Sequence, residues 1–284
     1  MQGTPIKSMK ARRARTGLLL CLPALLGLGV CYLLPFGMAL WNSLREGLTG
    51  RFCGPRNYLA LWGSSAFRLA AKNTLLFWCA ALPLNLALGL GLALLCGRVR
   101  IRGAKGMLFL PAMIPAACVA ILFETLWRLL PAFDPVGLAG QGGAGAILVL
   151  YLWKNVGYTV LLYSMALQSI PKALLDAARQ DGASEAQLLW YIKLPLTLPV
   201  SGVCLIVALL GSFRIFRESY LLAGPHPDET LYSLQHFLYN NFANMNYPRL
   251  AAASVLLTGL LLAASWLVLR RAAKRGWLPD EARG

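Results

Sequence analysis

Residues 74–96 read TLLFWCAALPLNLALGLGLALLC, an unbroken run without a charged side chain. A bilayer core about 30 Å thick takes about 20 apolar residues in a helix. A helix is the form expected, because lipid offers no partner to a backbone N–H or C=O. The same signal recurs outward from this run. Residues 17–41 precede it, and 106–130, 145–167, 197–217 and 249–269 follow it. Barrel strands would be short and alternating, whereas these runs are long and continuous. The fold expected is all-α: a polytopic membrane protein with six transmembrane helices.

Composition agrees. The 284-residue chain is 58% hydrophobic and 13% charged, with mean hydropathy +0.60. Soluble domains run at roughly 45–50% apolar and about 25% charged, so a water-soluble enzyme and a disordered chain are both excluded. The net charge of +16 would by itself suggest nucleic acid. Its distribution argues for lipid instead, since the basic residues sit in short clusters flanking apolar runs. No nucleic-acid partner is expected. The seven cysteines include Cys21, Cys31, Cys79, Cys96, Cys118 and Cys204 in or beside apolar runs, with only Cys53 in a polar loop. They read as small packing residues, not as a disulfide framework or a metal site.

The basic clusters also set orientation. Lys7, Lys10, Arg12, Arg13 and Arg15 precede the first run, which is too long for a signal peptide and lacks a small-x-small site. Arg98, Arg100, Arg102 and Lys105 fill the loop after the second run, and Arg270, Arg271, Lys274, Arg275 and Arg283 follow the last. Loops 131–144 and 218–248 carry no Lys or Arg. The positive-inside bias then puts both termini in the cytoplasm. The expected division is a basic cytoplasmic N-tail over 1–16, a membrane domain over 17–269 and a basic cytoplasmic C-tail over 270–284. Loop 42–73 dissents, with Arg45, Arg51, Arg56, Arg68 and Lys72 spread along it. An interfacial helix is expected there over 57–70, with Tyr58, Leu59, Leu61, Trp62 and Phe67 as its apolar part.

The loop before the fifth span is the most informative segment. Residues 169–199 read SIPKALLDAARQDGASEAQLLWYIKLPLTLP. Two short helices with a tight turn are expected. Pro171 suits the start of the first helix, and Gly182 stands where a left-handed residue ends it. Ser184 with Gln187 three residues on is a capping box for the second helix, whose apolar face is Leu188, Leu189 and Ile192. Pro195 and Pro199 then open the fifth span. Small side chains on a helix let another protein approach its backbone, with Asp176, Arg179, Asp181 and Glu185 as polar edges. The residues alone allow two readings: a docking surface for a soluble partner, or two amphipathic helices lying on the inner leaflet.

Asp176-Ala177-Ala178, then Asp181-Gly182-Ala183, eight residues, then Ile192-Lys193-Leu194-Pro195 resembles the EAA motif of ATP-binding-cassette importer permeases, E-A-A-x-x-x-G followed by I-x-L-P. The departure is Asp176 where Glu is usual. Leu22-Pro23-Ala24, Gly54 with Asn57-Tyr58, Asn73-Thr74, Leu110-Pro111, Trp153 with Gly157-Tyr158, and Leu167 to Pro171 are similar to the sugar-importer subfamily, in the same order. The resemblance implies a membrane-spanning permease subunit in the cytoplasmic membrane, for a carbohydrate or related polar solute. It implies a coupling helix that docks on a cytoplasmic ATPase, with Asp176, Ala177, Ala178, Asp181, Gly182, Ala183, Ile192, Leu194 and Pro195 as its motif. It further implies a second permease subunit, two ATPase subunits, an extracytoplasmic solute-binding protein and surrounding lipid as partners.

What the sequence lacks is consistent with a transport subunit rather than an enzyme. No GxxxxGK[ST] loop occurs; Gly97 and Gly103 bracket RVRIR, but Ala104 stands where Lys is required. ATP and Mg are therefore expected on the partner ATPase, with no cofactor on this chain. His226 and His236 have no metal spacing around them. For the solute pathway, the candidates are polar groups inside the spans. Tyr151, Asn155 and Tyr158 fall on one helical face beside Lys154, with Trp153 and Tyr163 adding aromatic surface, and Glu124 lies in the third run. The competing reading of this face is interhelical hydrogen bonding. Arg217 and Glu218 are expected at headgroup level or in docking. Loop 218–248 is expected either to contact the binding protein or to form a short interfacial helix. The alternative function is an ion-coupled secondary transporter, which would show repeated halves and broken spans. No internal repeat is found, although Pro83, Pro111 and Pro115 are placed to kink spans.

Overall fold

A computed structural model describes residues 6–47, 50–98, 104–129 and 143–274, with side chains for all of these except 6–15, 98, 104–105, 127–128 and 272–274. Arg100 and Arg102, the basic residues of the tail past 274, the polar loop 131–142, and the side chains of Arg98, Lys105 and the N-terminal basic cluster lie outside the described set. The chain forms two compact units, Met1–Gly63 with Asn241–Gly259, and Ser64–Asn240 with Leu260–Gly284.

In the first unit a helix runs from α1 (Ile6–Leu28) through a π segment, Gly29–Leu33, into α2 (Leu34–Ser43). Its apolar portion is Thr16–Ser43. The π segment ends immediately before Leu34-Pro35, where the Leu34 N–H reaches the Gly29 carbonyl five residues back. Proline has no N–H and its ring crowds the carbonyl of the preceding turn; widening the turn relieves that crowding. A short helix α3 (Arg56–Gly63) follows. Asn57 fastens it to the end of α2, its Nδ2 donating to the Ser43 and Arg45 carbonyls at 2.8 Å each. The Tyr58 hydroxyl lies 2.7 Å from Ser43 Oγ. The interfacial helix expected over 57–70 therefore stops at Gly63. Ser64 restarts the chain as a cap, its Oγ accepting the Phe67 N–H at 3.4 Å.

The second unit is built around α7 (Gly143–Gln168), which packs against α4 (Ser65–Arg98), α5 (Ala104–Met113) and α10 (Leu194–Arg214). Small residues set the spacing. A Cβ on Gly157 of α7 would collide with the Leu108 backbone carbonyl, and one on Gly89 of α4 would stand 2.6 Å from Thr159 Cβ. Polar side chains bridge the same helices: Thr159 Oγ1 donates to Asn85 Oδ1 at 2.5 Å, Tyr151 OH to the Ala208 carbonyl at 2.7 Å, and Tyr163 OH to Ser201 Oγ at 2.8 Å. Away from water such bonds replace the hydrophobic force that lipid cannot supply. Of the cysteines only Cys204 is buried; Cys21, Cys31, Cys79 and Cys118 are exposed, so packing accounts for few of them.

Among the described residues, five helices are long and apolar enough to cross a membrane: Thr16–Ser43, Ser65–Gly97, Gly143–Gln168, Glu185–Ala223 and Tyr247–Arg271. The third run, expected as one span over 106–130, is not one continuous helix. It breaks into α5 and α6 (Ala116–Leu129) with a bend of 100° between Gly106–Met113 and Ala116–Leu126. Pro115 drives the residue before it out of the helical region, and Ile114 closes α5 with a tight N–H to the Pro111 carbonyl at 3.3 Å. Counting the bent pair as one span gives six.

The loop after α7 forms α8 (Lys172–Gln180), then α9 (Glu185–Gln187), a second π segment Leu188–Lys193, and α10. The second short helix expected in this loop is thus continuous with the fifth span. Pro195 opens no new helix, because the turn before it is widened as at Pro35, the Leu194 N–H reaching the Leu189 carbonyl. After α10 come α11 (Phe216–Ala223), α12 (Leu234–Ala243) and α13 (Tyr247–Lys274). The helix α12 lies in the stretch 218–248.

Candidate functional site

The turn between α8 and α9 is locally over-determined. Gly182 has φ +84°, a conformation that costs an L side chain roughly 1–2 kcal/mol. Its N–H donates to the Arg179 carbonyl and that of Ala183 to the Ala178 carbonyl, both at 3.0 Å. These paired bonds form a Schellman motif that satisfies the last carbonyls of α8. Ser184 and Gln187 then form a reciprocal capping box, Gln187 Oε1 accepting the Ser184 N–H at 2.8 Å and Ser184 Oγ accepting the Gln187 N–H at 3.3 Å. A chain of ion pairs spans the turn. Arg179 binds Asp176 at 3.1 Å and Glu185 at 2.9 Å, and Lys193 binds Glu185 at 3.3 Å. The shorter Asp176 thus reaches Arg179 on its own helix. These two carboxylates hold the Arg179 guanidinium pKa above its ordinary value.

None of the residues of α8 is buried. A helix this short is marginal alone, yet it stands away from the core with Ala173, Ala177 and Leu174 exposed. Beside it lies a shallow cavity of about 290 Å³ lined by Asp181, Gly182, Ala183, Gln187, Leu188, Tyr191 and Ile192.

A second site lies where the α5–α6 bend, α7 and the α10–α11 junction meet. Lys154 Nζ donates to Glu218 Oε1 at 2.5 Å and to the Ile114 carbonyl at 3.2 Å, the carbonyl freed by the bend. The pair is 14% and 4% exposed. Tyr158 stacks edge-on with Phe109, ring centroids 4.8 Å apart, and the Arg214 guanidinium lies 5.5 Å from the Tyr158 ring centroid. Lys154, Asn155, Tyr158, Arg214, Arg217 and Glu218 line a cavity of about 230 Å³. No group of three His, Cys, Asp or Glu is placed to hold a metal ion among the described residues.

Residues 85–275 match the family described as binding-protein-dependent transport system inner membrane component. The chain belongs to that family. Among its relatives, the sn-glycerol-3-phosphate transport system permease protein UgpA of Yersinia pestis is 31% identical, covering 89% of this chain and 92% of that one. The trehalose/maltose transport system permease protein MalF of Thermococcus litoralis is 29% identical, covering 95% and 98%. In structure, a bacterial ABC transporter involved in the import of alginate superposes with a TM-score of 0.77 at 21% identity, covering 94% of this chain and 98% of that one.

The protein is the membrane-spanning permease subunit of an ATP-binding-cassette importer, a multi-pass inner-membrane transport component and not an enzyme. The EAA motif is typical of this family. The broken pair α5–α6 is a trait the secondary-transporter alternative also expects, and family membership decides against that alternative. Within the permease, Lys154, Asn155 and Tyr158 meet in one cavity. Tyr151 points elsewhere: it is fully buried, bonded to Ala208 and edge-on to Phe77 at 5.4 Å. Trp153 packs on Phe123 with ring centroids 5.5 Å apart, and Glu124 is exposed on α6, outside the cavity. Glu218, expected at headgroup level or in docking, is buried against Lys154 and so is not a free docking group. The signal for it was present: a lysine inside an apolar span requires a counter-charge.

Proposed function

We propose that α8 and its turn form the coupling element that docks on the ATPase of this importer, and that the cavity at Lys154, Asn155 and Tyr158 lies on the path of a carbohydrate or related polar solute. The observation that carries the docking is the turn itself. A nine-residue helix with no buried residue is held in one geometry by a Schellman cap, a capping box and three ion pairs. Such fixation of an exposed helix serves a partner that must grip it. ATP closes the ATPase dimer, the coupling element follows, and the permease passes between inward-open and outward-open states. The energy comes from ATP binding one state more tightly than the other.

The partners in this reading are two ATPase subunits, a second permease chain completing the pathway, and an extracytoplasmic solute-binding protein that delivers the solute. Both termini and the α8 turn lie on the cytoplasmic side. The basic N-tail over 1–16 and C-tail over 270–284 flank the membrane domain, 17–269. The names of the relatives support the solute class, since they specify trehalose and maltose or glycerol phosphate.

The test is reconstitution with the ATPase and replacement of Gly182 by Val. The variant strains the turn and fills the groove beside it, so solute-stimulated ATP hydrolysis and uptake fall together while the protein remains folded. If both are unchanged, or if a cysteine at Ala178 never crosslinks to the ATPase, the coupling role is wrong.

A further inference from the structure

The cavity at the α10–α11 junction has a charge balance of its own. Lys154 is neutralised by Glu218 at 2.5 Å. Arg214 and Arg217 line the same cavity, and among the described residues neither makes an ion pair. Arg214 has only the Tyr158 ring beneath it. The site therefore carries two guanidinium groups in excess, on a helix long and apolar enough to cross the membrane. Both side chains are exposed, so their charge is open to a solute. Guanidinium is also the side chain best shaped to grip a carboxylate or phosphate through two parallel N–H bonds. A second polar group is unmatched. Glu218 is 3% exposed, and its Oε2 has no hydrogen-bond partner. A buried carboxylate oxygen calls for a donor, and an oxyanion cannot supply one. A hydroxyl can.

We propose that this cavity selects anionic polyols, solutes that carry an oxyanion for Arg214 and Arg217 and hydroxyl groups that donate to Glu218 Oε2, with the Tyr158 ring as an apolar wall. The inference rests on the cavity lying on the solute path. A neutral sugar satisfies Glu218 and leaves both arginines unmatched; a simple anion does the reverse. Acidic sugars and phosphorylated polyols satisfy both.

The test uses the chain assembled with its second permease and ATPase subunits in phosphatidylcholine nanodiscs, with equilibrium binding of glucuronate and sn-glycerol 3-phosphate against glucose, glycerol and acetate. The acidic polyols are expected to bind at least tenfold tighter than the other three, and to weaken as salt rises. Arg217→Gln lowers acidic-polyol affinity by about tenfold to a hundredfold, the range of a lost charge-assisted bond, and leaves the weak binding of glucose unchanged. Arg217→Lys keeps the charge but not the fork, and falls between the two. Equal affinity for glucose and glucuronate overturns the proposal, as does an Arg217→Gln variant that binds glucuronate like the parent. Acidic-polyol binding that vanishes once phosphatidylglycerol is added at equal lipid content also overturns it, since the arginines then serve a lipid phosphate. None of these outcomes bears on the ATPase assay with Gly182→Val, so the coupling role and this selectivity fail separately; solute uptake lost in Tyr158→Ala while acidic-polyol binding by the parent stands tests the path itself.

Discussion

Replacing Lys154 by Met removes the ammonium and keeps the bulk of the side chain. Glu218 then loses its partner at Oε1, while Oε2 has none to begin with. Stripping one member from a buried pair costs about 3–5 kcal/mol. The upper half of that range is expected, because no oxygen of the 4%-exposed carboxylate keeps a bond. Glu218→Gln costs less, about 1–3 kcal/mol. The amide oxygen still accepts from Lys154, and Lys154 retains the Ile114 carbonyl at 3.2 Å. In the double variant no isolated charge remains. Its destabilisation falls short of the sum of the singles by roughly 0.5–3 kcal/mol, the range found for residues in contact. The assay is equilibrium unfolding in mixed micelles with increasing SDS, followed by tryptophan fluorescence. Single effects that add to within about 0.5 kcal/mol refute the pairing, and a Lys154→Met protein as stable as the parent refutes the burial argument.

Two further outcomes follow from the packing. Gly157→Val drives a side chain into the Leu108 backbone, and overpacking of this kind costs about 1–3 kcal/mol; size-exclusion profiles and unfolding midpoints will show a loss that Gly259→Val, which meets open space, does not. His236 is buried between Phe216 and Tyr232, and burial pushes its pKa down to about 4. The unfolded chain takes up that proton near the ordinary value of about 6.5, so stability is complete above about pH 6.5 and declines as pH falls toward about 4; thermal midpoints across this window will show the decline, and His236→Gln will flatten it.

The spans were legible because length and hydrophobicity suffice to find them. The turn at Gly182 was legible because its determinants are neighbours: the glycine, Ser184 and Gln187 act within a few residues. Prolines were not legible in the same way. Pro23 and Pro83 lie inside continuous helices, and Pro35 and Pro195 are absorbed by π turns. Pro115 turns the chain by 100°. The local chemistry is shared, so the outcome is decided by what packs against each turn, as Lys154 does at Ile114. The pairing of Glu218 is hidden from the sequence for a related reason. Its partner is 64 residues away in sequence, and only the folded chain brings the two charges together.

From Glu185 to Arg214 the backbone is helical without interruption, α9 passing through the π segment into α10. At 1.5 Å per residue that is a rod about 45 Å long. One end adjoins the turn at Gly182, and the other holds the guanidinium above Tyr158. A tilt of about 5° pivoting at one end sweeps the other through about 4 Å over that length. No relay of side chains is needed between the two ends, because a stiff tiller transmits a turn of the hand directly to the rudder.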